Sequence, residues 1–134
     1  MLELYQNLVK DFKIFSIEDP FDQNDLKSWQ NITKALKNTL IIGDDVLCTN
    51  TNRIKLARDH EWCSGLLLKP NQIGTLTESL QSAKLSAQAG WQVMVSHRSG
   101  DTEDSFIADL AVGIGSGLVK AGAPCRGERT AKYN

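Results

Sequence analysis

The sequence predicts an α/β fold built from about five βα units around a parallel sheet. Five short apolar runs each end at a charged or imidazole residue, and each is followed by a helical pattern. The strand-end residues recur about every 25 positions, a spacing typical of βα units. They are Glu18, Asp44, Lys69, His97 and Lys120. A complete (β/α)8 barrel takes about 250 residues, so the chain is expected to form part of one.

The strands are predicted from near-continuous apolar runs, as expected when helices cover a sheet. They are expected at residues 12–17, 40–42, 66–68, 93–95 and 118–119. Helices are predicted where apolar residues recur at intervals of three and four. They are expected at residues 2–10, around residues 26–36, 54–57 and 76–87, at about 102–115, and from about 128. The apolar residues that mark the second, third and fourth of these helices are Leu26 and Leu36, then Ile54, Leu56 and Ala57, then Leu76, Leu80 and Ala87.

Two helix boundaries carry recognisable caps. Thr49 or Asn50 can cap the helix around Ile54, because both side chains accept hydrogen bonds from free N–H groups. Thr75 and Glu78 have the spacing of a capping box, and Gly90 stands where the helix that they begin should stop.

The composition favours one globular domain in a reducing cytosol. With 15 Lys and Arg against 16 Asp and Glu, the chain gives no reason to expect nucleic acid or an anionic membrane as a partner. Three cysteines are an odd number without a close pair, which argues against a disulfide framework or a zinc site. The amino-terminal residues are expected to form neither a signal peptide nor an anchor.

The turn Ser96–Asp101 has the composition of an oxyanion site. It follows the apolar run 92–95 and precedes a predicted helix. Arg98 offers a planar fork, the serines and backbone N–H groups donate hydrogen bonds, and a helix N-terminus adds positive potential. These groups suit a phosphate, although an ordinary Ser- and Arg-rich surface turn would have the same composition.

Carboxylates follow two consecutive strands, at Glu18 and Asp44. Because the carboxyl ends of parallel strands share one face, they are expected to converge with the other strand-end residues. Grouped carboxylate oxygens suit Mg²⁺. The alternative is that each carboxylate caps a helix or pairs with a lysine. Asp19 and Asp45 are expected to turn aside into supporting or capping roles.

Lysines follow two further strands, at Lys69 and Lys120. Lys69 comes after three leucines, and burial beside the cation of Lys120 would favour its use as a base. The alternative is that each lysine extends into solvent. Together, a lysine base, a metal and a phosphate-binding turn indicate removal of a proton α to a carboxylate, with metal ions neutralising the resulting enolate.

Three other patterns do not support a function. No acid suited to orient His97 and no nucleophile-elbow glycines accompany Ser96 or Ser99, which argues against a hydrolase. Residues 113–117, Gly-Ile-Gly-Ser-Gly, follow a helix rather than a strand, which excludes a dinucleotide fingerprint. His60 is expected at a solvated helix end.

Five segments closely resemble enolase (phosphopyruvate hydratase). They are residues 16–21 (Ser-Ile-Glu-Asp-Pro-Phe), 43–45 (Gly-Asp-Asp), 66–75 (Leu-Leu-Leu-Lys-Pro-Asn-Gln-Ile-Gly-Thr), 95–100 (Val-Ser-His-Arg-Ser-Gly) and 120–124 (Lys-Ala-Gly-Ala-Pro). The resemblance implies that residues 1–134 are the C-terminal part of an enolase-type (β/α)8 TIM barrel. It also implies a Mg²⁺-dependent lyase of glycolysis, located in the cytoplasm, that dehydrates 2-phosphoglycerate reversibly to phosphoenolpyruvate.

The resemblance also implies a role for each site residue. Lys69 would be the catalytic base that takes the C2 proton, an arrangement known for enolases, and Glu18 and Asp44 would bind Mg²⁺. Lys120 would pair with the substrate carboxylate and stabilise the enolate. The residues implied to bind substrate are Glu18, Asp44, Ser96, His97, Arg98, Ser99 and Lys120, with Arg98 and Ser99 mainly at the phosphate.

Parts of the enolase pattern have no counterpart in these residues. They are the N-terminal capping domain, the first barrel strands, the glutamates that protonate the leaving hydroxyl, a third metal carboxylate and the mobile closing loop. Pro70 stands where many eukaryotic enolases have valine. The chain alone is therefore expected to be inactive, although the full-length parent would form a homodimer. The alternative is a non-catalytic, truncated enolase-like binding module, since five units leave two strand edges unpaired.

Overall fold

The computed structural model describes residues 1–134 and contains seven helices and five strands. The helices are α1 (Leu2–Phe12), α2 (Leu26–Ala35), α3 (Thr51–Asp59), α4 (Pro70–Ile73), α5 (Leu76–Gln88), α6 (Phe106–Gly113) and α7 (Gly127–Tyr133). The strands are β1 (Ser16–Glu18), β2 (Leu40–Gly43), β3 (Gly65–Leu68), β4 (Gln92–Ser96) and β5 (Leu118–Lys120). None of the helices combines the length and the apolar character needed to cross a membrane.

The five strands form one parallel sheet, which confirms the predicted α/β class. They lie in the order β1–β2–β3–β4–β5, so each strand pairs with the next one along the chain. The sheet curls into a half-barrel. Its curvature brings the two edge strands close enough for Lys120 on β5 to bind Glu18 on β1. All five carboxyl ends therefore lie along one curved rim.

The main core lies between the convex face of the sheet and the helices. Its fully or almost fully buried members include Trp29, Ile41, Ile54, Leu66 and Leu68. Leu67 is equally buried but lies outside this cluster, because successive side chains of a strand point to opposite faces. The same alternation directs Lys69, two residues after Leu67, towards the concave side.

The first strand is shorter than the sequence predicted. Residues 12–17 were expected to be extended, yet α1 continues to Phe12 and Lys13 ends it with a left-handed φ of 49°. Phe12 lies in α1, and Phe15 precedes β1, where its carbonyl accepts a hydrogen bond from the N–H of Leu40. The two side chains are 69% and 63% exposed. Two phenylalanines near the end of α1 therefore imitate the start of a strand.

The helix expected at about 102–115 begins only at Phe106. Asp101 accepts a hydrogen bond from the N–H of Thr102 at 2.9 Å, and Asp104 accepts one from the N–H of Phe106 at 2.8 Å. Such local side-chain bonds to the backbone compete with helix formation. The N-terminus of α6 consequently lies farther from Arg98 than the sequence suggested.

The predicted caps have mixed outcomes. Asn50 caps α3 by accepting hydrogen bonds from two N–H groups, whereas Thr49 is fully buried and bonded elsewhere. The Thr75 hydroxyl accepts from the N–H of Glu78 at 3.2 Å, which confirms the start of α5. The short helix α4 was not predicted; Pro70 begins it directly after β3.

Helix α5 buries serines and exposes leucines, which the apolar pattern did not predict. Ser79, Ser82 and Ser86 are fully buried, whereas Leu76 and Leu80 are 45% and 42% exposed. The small serine side chains permit close packing against α3 and β3. In α3 the side chains of Ile54 and Ala57 face the core and that of Leu56 is 51% exposed.

We expect Gly43→Ala to destabilise the fold, because a Cβ at this position would lie 2.7 Å from Cγ of buried Leu47. Overpacking of this kind costs about 1–3 kcal/mol. Gly113→Ala is the control, since no atom lies within 4 Å of the added Cβ. Urea unfolding measures both, and an equal free energy of unfolding for the two variants would contradict the prediction.

Candidate active site

A cleft of about 580 Å³ opens at the carboxyl ends of the strands. Every residue that lines it is polar: Asp44, Asp45, Lys69, Asn71, His97, Arg98, Ser99 and Lys120. Four of the five strand-end residues thus meet here, as the sequence predicted, and the fifth, Glu18, binds Lys120. A second cavity of about 270 Å³ lies at the opposite end of the sheet and carries only Lys84 as a charged group.

Asp19 shapes the backbone at the rim of the cleft. Its two carboxylate oxygens accept hydrogen bonds from the N–H groups of Asp44 and Asp45 at 2.8 and 2.9 Å. Burial raises the pKa of Asp19, the two N–H groups oppose this rise, and the charges of Asp44 and Asp45 add to it. The supporting role predicted for Asp19 therefore agrees with its contacts.

The donor chemistry of this rim fits a hard divalent cation. Carboxylate oxygens of Asp19, Asp44 and Asp45 lie within 4.8 Å of one another, and oxygen donors are those that Mg²⁺ prefers. Asp44 and Asp45 face the cleft, whereas both oxygens of Asp19 bind backbone N–H groups. Glu18, predicted as the partner of Asp44 at a metal, is not a member of this group.

Lys69 and Asp44 form the most enclosed ion pair of the cleft. The Lys69 Nζ lies 2.5 Å from Oδ2 of Asp44, and the two side chains are 12% and 10% exposed. Gln72 donates to the other oxygen of Asp44 at 3.3 Å, and the Thr49 hydroxyl accepts from the N–H of Lys69 at 3.0 Å. Lys69 therefore does not extend into solvent. Asp44 is paired with a lysine, which is the arrangement that the sequence left open as the alternative to a metal ligand.

Lys120 and Glu18 form a second, more open ion pair. The Lys120 Nζ lies 2.6 and 2.7 Å from the two oxygens of Glu18, and the side chains are 41% and 30% exposed. Both lysines of the cleft are thus held by the two carboxylates that the sequence predicted as metal ligands. Any cation that binds these carboxylates must share them with the lysines.

Of the four residues predicted to bind substrate at the end of β4, three line the cleft. His97, Arg98 and Ser99 line it, and Arg98 donates to Oδ1 of Asn71 at 3.3 Å. Ser96 is 2% exposed, donates its hydroxyl to the carbonyl of His97 and does not line the cleft. An arginine fork and a hydroxyl are therefore available to an anion.

The surroundings of His97 favour the neutral form of its imidazole. It is 9% exposed, and its Nδ1 has no hydrogen-bond partner. Burial lowers the pKa of His97; the Asp101 carboxylate opposes this, and the nearby cations of Arg129, Lys132 and Lys120 lower it further. A neutral imidazole can donate a hydrogen bond to a phosphate without adding charge.

Three residues that contact the site were given no role in it by the sequence: Thr49, Asn71 and Gln72. Asn71 and Gln72 lie two and three positions after Lys69, just beyond the end of a strand, and this placement is the signal that could have identified them. Thr49 precedes Lys69 by 20 residues, and only the folded structure brings its hydroxyl to the Lys69 N–H.

The comparison with protein families agrees with this architecture. The family model described as enolase, C-terminal TIM barrel domain, matches residues 1–134. A parallel half-barrel with a polar cleft at the carboxyl ends of its strands is typical of TIM-barrel enzymes. The chain belongs to the enolase family, as a C-terminal TIM-barrel domain.

We expect Lys69→Met to destabilise the protein more than Lys120→Met. The first change leaves Asp44 without its cation in a nearly dry setting and should cost about 2–4 kcal/mol, somewhat less than for a fully buried pair. The second breaks a partly exposed pair worth at most about 1 kcal/mol. Urea unfolding measures the free energy of unfolding of both variants. Equal losses in the two variants would contradict the expected order.

We expect the imidazole of His97 to titrate below the ordinary value of about 6.5. Between the two values the unfolded chain binds more protons, so this contribution to stability is lost as the pH falls from about 6.5 through the folded pKa. An NMR titration of the imidazole resonances measures the pKa of His97. Asp101→Asn should lower the pKa further, whereas Asp109→Asn on the exposed face of α6 should not; titration of His97 above 6.5 would contradict the assignment.

Proposed function

We propose that this chain carries the catalytic face of an enolase, a Mg²⁺-dependent lyase that interconverts 2-phosphoglycerate and phosphoenolpyruvate in cytoplasmic glycolysis. One observation carries the proposal: two lysines, a carboxylate group and an Arg-, His- and Ser-containing segment line a single, wholly polar cleft. The membership of the enolase family supports the same reaction.

The substrate phosphate would bind to Arg98 and Ser99 beside neutral His97. Arg98 and Ser99 are exposed at the cleft, so their donors can reach a ligand without rearrangement of the core. A guanidinium fork matches phosphate geometry and forms the stronger, charge-assisted kind of hydrogen bond. We assign Ser96 an indirect part in this binding, through its bond to the carbonyl of His97.

The charges of the cleft support a requirement for added cations. Lys69, Arg98 and Lys120 oppose Asp44 and Asp45 among the lining residues, and Glu18 adjoins Lys120. The formal charges of these three cations and three carboxylates cancel, whereas a phosphorylated acid brings about three negative charges. We propose that Asp44 and Glu18 hold Mg²⁺, with Asp45 as a further oxygen donor. When bound, the ion supplies positive charge opposite the substrate carboxylate.

Lys69 is proposed as the base that takes the C2 proton, acting as the neutral amine after its ion pair with Asp44 has opened and its ammonium proton has gone to solvent. Its stem is shielded from water, and its amino group lies at the floor of the cleft against Asp44. Thr49 fixes the Lys69 backbone, and Gln72 fixes Asp44, so that the amino group has a defined position. Positioning of this kind is a large part of the rate enhancement by a base.

Lys120 is proposed to bind the substrate carboxylate. It enters the cleft from the edge strand β5 and is the more exposed of the two lysines. An ammonium group there stabilises the negative charge that accumulates on the carboxylate as the C2 proton leaves. Its present bond to Glu18 keeps it directed across the concave face.

We propose that the 134 residues alone do not turn over substrate. The leaving hydroxyl needs a proton, and the only acids that line the cleft are Asp44 and Asp45, which are proposed to serve the metal. Five strands also enclose only one side of a barrel that requires eight.

A second, non-catalytic function as an interaction module is favoured by exposed Phe12 and Phe15 beside the edge strand β1.

Calorimetry with 2-phosphoglycerate and Mg²⁺ separates these functions. We expect Mg²⁺-dependent binding by the chain, and Arg98→Gln should weaken it about 10- to 100-fold because a charge-assisted contact is lost. Arg58→Gln, on the exposed end of α3, is the matched control and should bind as the unchanged chain does. Ultraviolet absorbance should detect no phosphoenolpyruvate formation.

Two results would contradict the proposal. Binding that is absent, or equal with and without Arg98, would favour the interaction module over a substrate site. Turnover by the chain alone that disappears in Lys69→Ala would show that some group within these residues supplies the missing proton, and would overturn the proposed inactivity.

A further inference from the structure

The most deeply buried lysine of the chain, Lys132, lies outside the cleft and has no part in the proposed reaction. It is 5% exposed, and no carboxylate oxygen lies within 4.0 Å of its amino group. Its Nζ instead donates to the backbone carbonyls of Thr102 at 2.5 Å and Glu128 at 2.6 Å. Burying a cation without a partner carboxylate costs free energy of folding, so the presence of a lysine here calls for an explanation.

The two carbonyls belong to different parts of the chain. Glu128 lies in α7 itself, one turn before Lys132. Thr102 lies in the loop of residues 97–105 between β4 and α6, which carries Arg98 and Ser99. We call residues 97–105 the anion loop. The ammonium of Lys132 therefore ties the anion loop to α7.

The next residue of α7 binds the neighbouring rim segment. The hydroxyl of Tyr133 donates to the carbonyl of Gly122 at 2.6 Å and accepts from the N–H of Ala121 at 3.2 Å. Ala121 directly follows Lys120. At its other end, α7 approaches the anion loop so closely that a Cβ on Gly127 would lie 2.6 Å from Oε1 of Glu103.

We propose that Lys132 is a positioning residue that holds the anion loop against α7, so that Arg98 and Ser99 face the cleft. The role in ligand binding rests on the proposed function, whereas the role in ordering the loop does not. Apart from the bonds that join it to α6, the anion loop has three other anchors. Arg98 donates to Asn71, the N–H of His97 donates to the carbonyl of Lys120, and the hydroxyl of the preceding Ser96 donates to the carbonyl of His97.

The test compares Lys132→Met, which keeps the stem but removes the donors, with Lys132→Arg, which keeps a charged donor. Lys84→Met, at an exposed position of α5, is the control. Hydrogen exchange of the amides of residues 99–105 and calorimetry with 2-phosphoglycerate and Mg²⁺ are the two measurements. In Lys132→Met, both the exchange of these amides and the dissociation constant should rise at least about tenfold.

A role in stability alone predicts a different pattern. It would raise exchange throughout α7 as well as in the loop, whereas the positioning role predicts a rise confined to the loop, which Lys132→Arg should reverse. The NMR titration of His97 gives a third measurement: loss of the Lys132 charge should raise the pKa of His97, because that cation lowers it. The resonance of His60, the other histidine, serves as the reference.

Each outcome decides the proposal. Unchanged loop exchange in Lys132→Met would overturn it, as would equal losses in the methionine and arginine variants. If Lys132→Met does not fold, Lys132→Gln replaces it. Its amide keeps a neutral donor, so a smaller rise in loop exchange is expected, and unchanged loop exchange would again overturn the proposal. If the unchanged chain binds no 2-phosphoglycerate, the proposed function fails, while hydrogen exchange and the His97 titration still decide the role of Lys132 in the loop.

Discussion

Strand direction is the constraint on which this site depends. Because the five strands are parallel and consecutive, every strand end and every following loop falls on one rim. The side-chain alternation of each strand then determines which residues turn inward, as for Leu67 and Lys69. Helices cover the convex face, so charged groups can collect only at this rim without interrupting the core.

Charge balance within the cleft follows from that placement. Each lysine holds a carboxylate. The buried pair is supported by Gln72, which donates to Asp44, and by Thr49, which accepts from the N–H of Lys69. The cleft therefore keeps ionised groups close together without strong repulsion between like charges. The same balance leaves little spare positive charge for a ligand with about three negative charges, which is the physical argument for a metal at this rim.

The sequence was sufficient for the architecture, because apolar runs and polar strand ends recur with a regular period. It failed where local bonds or aromatic residues imitate another element, as at Phe12 and at Asp101 to Asp104. Within the site, the strand-end residues were predictable from topology. The pairing of each lysine with a particular carboxylate, and the contacts of Thr49 and Lys132, depend on distances between segments remote in sequence, which no local pattern records.

The contact between Glu18 and Lys120 spans 102 residues, whereas the sheet itself is built from pairs of neighbouring strands. The half-barrel can grow one unit at a time, since each new strand needs only its predecessor. Contacts of long sequence separation bear the highest entropic cost of chain closure. The two edges of the cleft therefore meet only when the last strand is in place, and no shorter folding intermediate contains the assembled rim.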